Sequence, residues 1–311
     1  MRTNRSKSWP VYRSLVGTSE LPARLVAAEA ALCDCHLCGN DCGIDRTRQA
    51  GPCGLADTLH VASYGPHHGE ERVLRGHRGS GTIFFSSCNL HCVYCQNYDI
   101  SQQVTGFAVG APGLAKVMLA LQAQGCHNIN LVSPTHVASL LVPALALAAE
   151  AGLAIPIVYN TGGYDALQAL TLMDGLVDIY MPDMKYADSA VGEALSAVCD
   201  YPAVNRAAVR EMHCQVGDLE IDDHGVARHG LLVRHLVLPG GLAGTAEVAG
   251  FLGEEISPDT YVNVMGQYRP AFRAYECASR AMSLDRRVTR DEVAAAVRQA
   301  RAAGLWRFDG R

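Results

Sequence analysis

The chain has 311 residues, of which 49% are hydrophobic, and its formal net charge is −5 at pH 7. This length and apolar content predict one large α/β domain with a small appendage. The negative charge gives no electrostatic reason to expect a nucleic-acid partner, and no apolar run reaches the length of a membrane span. The first ten residues are polar and basic, so we predict no secretory signal.

Cysteine usage indicates a reducing compartment. The chain has 12 cysteines, and eight of them fall between positions 33 and 95. Such crowding, in a chain without an export signal, is typical of metal ligation rather than of disulfide bonding. We therefore expect a cytoplasmic protein.

The N-terminal part begins with an alanine-rich helix around residues 23–32, and a cysteine-rich segment follows. Four of its cysteines lie on glycine-rich turns and could close the coordination sphere of one metal: Cys35, Cys38, Cys42 and Cys53. Their spacing does not separate zinc from a second iron–sulfur cluster. The alternative is a group of inert reduced thiols.

Residues 59–64 and 72–74 are predicted to be short strands, because apolar residues alternate in the first and dominate the second. Between them lies the sequence His-His-Gly-Glu-Glu at positions 67–71. These two histidines and two carboxylates lead toward the next strand and could sit over an active site. A solvated polar loop is the alternative.

The apolar run at residues 83–85 predicts a buried strand, and three cysteines follow it with the spacing C-x3-C-x2-C: Cys88, Cys92 and Cys95. Three thiolates can hold three irons of a [4Fe–4S] cube and leave the fourth iron without a protein ligand. The alternative is structural zinc, which takes four closed ligands. The obvious fourth ligand, His91, lies inside the same loop.

This loop resembles the radical S-adenosylmethionine (radical SAM) superfamily, whose signature has an aromatic residue before the third cysteine, here Tyr94. The flanking sequences Gly-Ser-Gly-Thr-Ile-Phe-Phe and Cys-Gln-Asn-Tyr-Asp-Ile-Ser resemble the pyruvate formate-lyase activating enzyme-like subgroup. The resemblance implies that S-adenosylmethionine binds the open iron and is cleaved by one electron. The products are methionine and a 5′-deoxyadenosyl radical, which abstracts hydrogen from substrate.

The resemblance also implies partners: a one-electron donor such as flavodoxin or ferredoxin, and a small-molecule or peptide/protein substrate. Residues 78–81 read Arg-Gly-Ser-Gly, where true glycyl-radical activases carry Gly-Pro-Gly-Ile-Arg. An activase-like role and the modification of a small molecule or peptide therefore both stay open. A distinct alternative is a non-catalytic zinc or iron–sulfur binding protein.

Beyond the cluster loop, near-continuously apolar strands alternate with helices, which predicts a parallel sheet with helices outside. Counting from Ile83 gives six core strands, fewer than the eight of a closed barrel. The resemblance implies an open, partial (β/α)6 barrel of the TIM type. We divide the chain into an N-terminal extension with the cysteine-rich segment (1–76), a radical SAM core (77–275) and a C-terminal helical tail (276–311).

Several helix boundaries are also predicted. Asp165 is expected to cap a helix that ends near residue 173, and Thr245 to cap another. Pro143 is expected only in the first turn of its helix. The pair Thr289 and Glu292 has the spacing of a capping box that starts a last helix.

Ligands of parallel βα folds collect at the carboxyl ends of the strands. Polar residues follow strands two to six there, and they are our candidate site residues: Ser133 and Thr135; Asn160 and Thr161; Asp183 and Lys185; Arg234 with Leu236; and Asn263, Met265 and Gln267, followed by Tyr268 and Arg269.

The resemblance implies roles for these positions. Ser133 and Thr135 stand where the family binds the methionine amino group through Gly-Gly-Glu-Pro, and Asn160 and Thr161 suit the ribose or the methionine carboxylate. Lys185 of the Asp-x-Lys motif would hold that carboxylate. Asp183 would accept a hydrogen bond from the ribose or substrate. The alternative for this pair is a surface ion pair.

The last two strands complete the predicted site. Alternation along strand five places Arg234 and Leu236 on the inner face, near the ribose or carboxylate, and His235 under a helix. Residues 263, 265 and 267 share a face that suits an adenine edge. Tyr268 and Arg269, in the following loop, would close the open side over the substrate.

Overall fold

The computed structural model describes residues 9–277 and 282–310. Most of the polar N-terminal stretch, residues 1–8, lies outside the described residues. Nearly all of the predicted C-terminal tail lies within them.

Helices flank a central sheet. Their bounds are α1 Glu20–Cys33, α2 Arg72–Arg75, α3 Tyr98–Ser101, α4 Ala111–Ala123, α5 Ala138–Glu150, α6 Leu167–Met173, α7 Ser189–Ser196, α8 Tyr201–Val216, α9 Thr245–Phe251 and α10 Arg290–Ala302. Short 3₁₀ turns occupy Val11–Ser14, Thr135–Val137 and Pro239–Gly241, and one π turn occupies Leu252–Ile256.

The strands form one sheet in the order β10-β9-β8-β6-β5-β4-β2-β1-β3, and β7 pairs with β8. Their bounds are β1 Leu59–His67, β2 Ser80–Phe85, β3 Phe107–Val109, β4 Ile129–Val132, β5 Ile157–Thr161, β6 Ile179–Pro182, β7 Glu220–Ile221, β8 Ala227–Leu236, β9 Tyr261–Met265 and β10 Arg307–Phe308.

The six predicted core strands are present in the described residues as β2, β4, β5, β6, β8 and β9, each parallel to its neighbour. Strands β1 and β3 extend the β2 edge in antiparallel fashion, and β10 extends the β9 edge in parallel fashion. The sheet does not close on itself. The predicted open α/β architecture, consistent with a partial barrel, is confirmed.

The two faces of the sheet are covered differently. Ile83, Leu131 and Tyr159 pack in the main core with helices such as α4 and α5. The opposite face carries a smaller apolar cluster toward the amino ends of the strands: Val73, Leu74, Val158, Ile179, Met181, Leu219, Ala227, Leu232 and Tyr261. Beyond this cluster, the same face becomes polar toward the carboxyl ends.

The predicted strand at residues 72–74 is wrong, because this segment is the single helical turn α2. One turn lets the consecutive residues Val73 and Leu74 both enter the smaller apolar cluster, whereas a strand would point them to opposite faces. Gly76 ends the turn with a φ of 46°, a conformation that glycine adopts without a Cβ penalty.

Three helix starts differ from the predictions. The residue that caps α6 is Ala166, and the carboxylate of Asp165 is used elsewhere. Thr245 is the first residue of α9, and its hydroxyl contacts His235 Nε2 at 2.9 Å. Pro143 lies in the interior of α5, which begins earlier than predicted.

The C-terminal part docks on the sheet. The capping box of α10 is confirmed, since Glu292 N donates to Thr289 Oγ1 and Thr289 N donates to Glu292 Oε2. The chain then adds β10 beside β9. In the part of the chain that is described, every helix is too short or too polar to cross a membrane.

Candidate active site at the carboxyl ends of the strands

The three cysteines of the cluster loop line one cavity of ≈ 160 Å³. The cavity lies at the carboxyl ends of the parallel strands, and the loops after β4, β5 and β6 complete its wall. From these strand ends come Ser133, Asn160, Thr161, Asp183, Lys185 and Arg234. The structure thus brings the predicted cluster ligands and six predicted cofactor residues together.

The loop itself is held by hydrogen bonds to several elements. Ser87, with a φ of 69°, donates its backbone N–H to Ile100 O at 2.7 Å. Val93 N donates to Leu195 O at 2.9 Å. The predicted signature aromatic Tyr94 is buried and its hydroxyl lies 2.6 Å from that of Tyr186. The loop is therefore preorganised by its surroundings.

The donor set fits a metal cluster chemically. Burial raises the pKa of Cys88 to about 12 and also raises the pKa of Cys92. Without a nearby metal cation these thiols stay protonated at neutral pH, whereas a metal binds the thiolate. His91, the candidate fourth zinc ligand, is exposed, contacts Gln102 Oε1 at 3.2 Å and does not line the cavity.

A charged triad faces the same cavity. Asp183 accepts from Lys185 Nζ at 2.6 Å and from Arg234 Nε at 2.8 Å, and Arg234 Nη2 donates to Asn160 Oδ1 at 2.7 Å. The side chains of Asp183 and Lys185 are each only 16% exposed, so the alternative of a surface ion pair does not hold. One carboxylate thus pairs with two cations beside the cavity, and the charges of Glu70 and Glu71 also act on Arg234.

The pKa values agree with this arrangement. Burial alone raises the pKa of Asp183, but Arg234 and Lys185 outweigh it and hold that pKa below its usual value. Burial lowers the pKa of Lys185, yet Asp183 outweighs it and the pKa of Lys185 is raised. All three groups are therefore charged at neutral pH.

Asp165, which the sequence predicted to cap a helix, is instead the centre of a hydrogen-bonded polar group near the ends of β4 and β5. Asp165 is buried and accepts hydrogen bonds from Thr135 Oγ1 at 2.7 Å, Thr161 Oγ1 at 2.6 Å and Tyr159 Oη at 3.0 Å. Thr135 does not line the cavity, and its hydroxyl serves Asp165 instead of a ligand. Ser133 does line the cavity, with a φ of 56°.

A larger cavity of ≈ 580 Å³ adjoins the first, and Phe84, Asn97, Val132, Asn160 and Arg234 line both. Asn263, Met265 and Gln267 line it together, as their predicted common face requires. The His-His-Gly-Glu-Glu segment at 67–71 also lines it. This position supports the interpretation that residues 67–71 sit over the active site, rather than the alternative of a solvated polar loop.

Besides Thr135, three further candidates lie outside both cavities. Tyr268 is buried, and its hydroxyl donates to Leu284 O at 2.7 Å, so the predicted closing role is wrong for this side chain. Arg269 is exposed, and Leu236 packs half-buried against the cluster of Leu238 and Tyr268. The inward side of β8 is confirmed for Arg234. His235, as predicted, is buried on the other side, where it contacts Met184 O at 2.7 Å.

The four N-terminal cysteines line a separate, small cavity of ≈ 10 Å³ with Arg46 and His136. Burial, together with the charges of the other three thiols, raises the pKa of Cys38 to about 12. Within residues 9–277 and 282–310, however, no group of three or more His, Cys, Asp or Glu side chains is arranged to hold a metal ion. The second metal therefore stays a prediction.

Comparison with solved structures defines the fold class. A crystal structure of a radical SAM methyltransferase from Sphaerobacter thermophilus matches with a TM-score of 0.51 and 16% identity, over 75% of this chain and 66% of that chain. A structure of Streptococcus suis SuiB bound to S-adenosylmethionine matches with a TM-score of 0.47 and 12% identity, over 71% of this chain and 47% of that one. The first of these matches shows that the chain has the fold of a radical SAM enzyme.

Comparison of sequences identifies the family. No family model matches the chain. It is 31% identical over 283 residues to the uncharacterized protein MJ0674 of Methanocaldococcus jannaschii, a match that covers 88% of this chain and 75% of that protein. The chain belongs to the same family as MJ0674.

Proposed function

We propose that this chain is a radical SAM enzyme whose catalytic [4Fe–4S] cluster is held by Cys88, Cys92 and Cys95. The observation that carries the proposal is the meeting of these three thiols with the Lys185–Asp183–Arg234 group in one cavity at the carboxyl ends of parallel strands. Three ligands leave one iron open for the cofactor. His91, the fourth ligand predicted for a closed zinc site, lies outside this cavity with its ring against Gln102.

The bound cluster would supply one electron to S-adenosylmethionine, which breaks into methionine and a 5′-deoxyadenosyl radical that takes hydrogen from substrate. Lys185 binds the methionine carboxylate through its positively charged ammonium group. Asp183 accepts hydrogen bonds from both Lys185 and Arg234, so its negative charge is divided between two cations. Asp183 keeps both cations in place and accepts from the ribose or the substrate. The positions of these three groups are fixed by their mutual ion pairs.

The remaining candidate residues bind the rest of the cofactor. Asn160 and Ser133 offer amide and hydroxyl groups around the methionine and ribose. Thr161 lines the same wall, with its hydroxyl donating to Asp165, and residues 263, 265 and 267 border the adenine. These side chains line one or both of the adjoining cavities. The methionine end of the cofactor then lies at the cluster loop and its adenine at the edge of the larger cavity, whose remaining space receives the substrate.

The electron comes from a one-electron donor of the flavodoxin or ferredoxin kind. The larger cavity of ≈ 580 Å³ suits a small molecule or one residue of a peptide, so we propose such a substrate. An activase-like reaction on a protein requires that protein to present a peptide segment to this cavity.

We also propose a second metal at Cys35, Cys38, Cys42 and Cys53. Arg46 is fully buried, its two terminal nitrogens donate to the carbonyls of His136 and Ala56, and its Nε has no partner within the described residues. A buried cation without a carboxylate is costly. Four metal-bound thiolates would supply the missing negative charge, whether the metal is zinc or an iron–sulfur cluster.

The test is anaerobic reconstitution with iron and sulfide, followed by reduction with dithionite in the presence of S-adenosylmethionine. We expect a brown, oxygen-labile protein that forms 5′-deoxyadenosine and methionine in equal amounts. A colourless, zinc-loaded protein that forms neither product would instead establish the non-catalytic binding protein.

A further inference from the structure

The β1–β2 connection carries two glutamates across the open side of the sheet. After β1, the segment that contains Glu70, Glu71 and α2 reaches the opposite edge, where Asn263 Nδ2 of β9 donates to Glu71 Oε1 at 2.9 Å. Arg72 Nη1 extends the contact to Gly310 O at 3.4 Å, beyond β10. The connection thus joins the two edges that the open sheet leaves apart and forms one wall of the larger cavity.

Both carboxylates are buried on this wall. Glu71 is only 6% exposed, and its Oε2 has no hydrogen-bond partner among the described residues. The Glu70 side chain is 9% exposed, and its Oε1 lies 3.2 Å from His67 Nδ1. A buried carboxylate oxygen without a donor is unfavourable, so this wall can receive a donor that the described residues do not supply.

The nearby arginines act on these glutamates through their charge, as Arg234 does on both, but their observed hydrogen bonds go to other groups. Arg234 donates to Asp183 and Asn160. Arg72 Nη1 reaches Gly310 O, and Arg75 Nη1 contacts Gly76 O at 3.4 Å. Burial raises the pKa of Glu70 while Arg234 opposes the rise, and the adjacent Glu71 raises the pKa further. Two neighbouring carboxylates repel each other, and a ligand cation between them relieves that repulsion.

The ligand cation is not the amino group of the cofactor. That group belongs beside the open iron, in the cavity of the cluster loop, and neither Glu70 nor Glu71 lines that cavity. The two glutamates line only the adjoining larger cavity, in which we place the substrate.

We propose that the substrate carries a primary ammonium group, and that Glu71 and Glu70 bind this group and orient the substrate toward the cluster loop. An ammonium has three donors and one positive charge, which matches the free Glu71 Oε2 and the carboxylate beside it. The chemical class is therefore an amine, such as an amino acid or the lysine residue of a peptide. This inference rests on the proposed function, because it assigns a substrate class to that site.

The probes are n-butylammonium, 1-butanol and butyrate, which share one carbon chain and differ in the terminal group. Binding is measured by ligand-observed NMR to the reconstituted holoenzyme with oxidised cluster and bound S-adenosylmethionine. We expect butylammonium to bind, and E71Q and E70Q each to weaken it by roughly tenfold, as expected when a charge-assisted hydrogen bond is lost. The control E254Q, at an exposed glutamate, should bind as the parent does.

The cofactor provides the second readout. In E70Q and E71Q the affinity for butylammonium should fall by a larger factor than the affinity for S-adenosylmethionine, because the two glutamates line only the larger cavity. Equal binding of butyrate and butylammonium, or unchanged butylammonium binding in E70Q and E71Q, overturns the proposal. A loss of S-adenosylmethionine affinity as large as the loss of butylammonium affinity also overturns it, because the glutamates would then serve the cofactor.

The two proposals fail in different ways. If the parent forms no 5′-deoxyadenosine under any reducing condition, the proposed function fails, and the ammonium site is then not a substrate site. If the parent forms 5′-deoxyadenosine but shows no preference for butylammonium over 1-butanol, only the ammonium proposal fails.

Discussion

The two cysteine-rich regions of this chain place thiols beside a basic side chain in very different surroundings. The cluster loop opens into a cavity of ≈ 160 Å³ that continues into one of ≈ 580 Å³, whereas the N-terminal cysteines enclose only ≈ 10 Å³. Lys185 pairs with a carboxylate beside the first region. Arg46, beside the second, contacts only carbonyls.

If both regions bind metal as proposed, this difference separates a reactive site from a structural one. An open ligand position with a neighbouring cavity would let a cofactor reach the metal. The N-terminal thiols, three of them buried, surround almost no free space and would leave no such position.

The largest expected effect comes from the cluster loop. Replacement of Cys88, Cys92 or Cys95 with serine should abolish the formation of 5′-deoxyadenosine, because each thiolate holds one iron of the cluster. Product formation is measured by chromatography after anaerobic reconstitution. Metal analysis of the triple variant should still find zinc or iron at the N-terminal cysteines.

The matched control is Cys126→Ser, a buried cysteine in neither region, which should keep its cluster and its activity. A triple variant that still formed 5′-deoxyadenosine would refute the assignment of the cluster ligands. A triple variant free of metal under careful anaerobic handling would refute the second site instead.

The next effect concerns the N-terminal region. Cys38→Ser should release the metal that the triple variant retains and lower the free energy of unfolding by about 2 kcal/mol or more, because Arg46 then stays buried without its negative counterpart. Denaturant unfolding of the metal-loaded proteins measures the loss. Cys33→Ser is the control, since Cys33 is exposed and lies outside the small cavity. Equal metal content in the parent and Cys38→Ser would contradict the second site.

A smaller effect is expected for Lys185→Met. This change keeps the apolar stem and removes the charge, so cofactor affinity should fall by roughly tenfold, a loss of about 1.4 kcal/mol. Equilibrium binding of S-adenosylmethionine to the reconstituted protein measures it, and cluster content should not change. Lys116→Met, at an exposed lysine of α4, is the control. Parental affinity in Lys185→Met would show that the lysine does not contact the cofactor.

The sequence predicted the fold well because its signals were local. The apolar strands, the order of six parallel strands and the inward position of Arg234 follow from hydrophobic runs and from the period of two along a strand. The capping box at Thr289 was found for the same reason, since both of its partners lie within one turn.

Where the sequence reading failed, a tertiary partner decided the outcome. Asp165 precedes a helix and looks like a cap, but two hydroxyls from β5 and one from the 3₁₀ turn after β4 surround its carboxylate. Tyr268 was expected over the substrate, yet a carbonyl sixteen residues later in the chain accepts its hydroxyl in a buried cluster. Glu71 and Asn263 are in contact although 192 positions separate them in the chain, so no local sequence pattern predicts this contact.

The smallest expected effect concerns the hydroxyl beside one thiolate of the cluster loop. Ser196 Oγ lies 3.0 Å from Cys92 Sγ and 2.7 Å from the Tyr186 hydroxyl. A hydroxyl that donates to a cluster sulfur stabilises the electron-rich reduced state, so Ser196→Ala should lower the midpoint potential of the cluster. The lost hydrogen bond should also lower the free energy of unfolding by about 1 kcal/mol.

Redox titration followed by electron paramagnetic resonance measures the potential, and Ser63→Ala, at an exposed serine of β1, is the control. With excess dithionite the rate of S-adenosylmethionine cleavage should stay close to that of the parent, because Ser196 holds a ligand and contacts no substrate. An unchanged potential would mean that Ser196 only packs against Cys92 and does not donate to its sulfur.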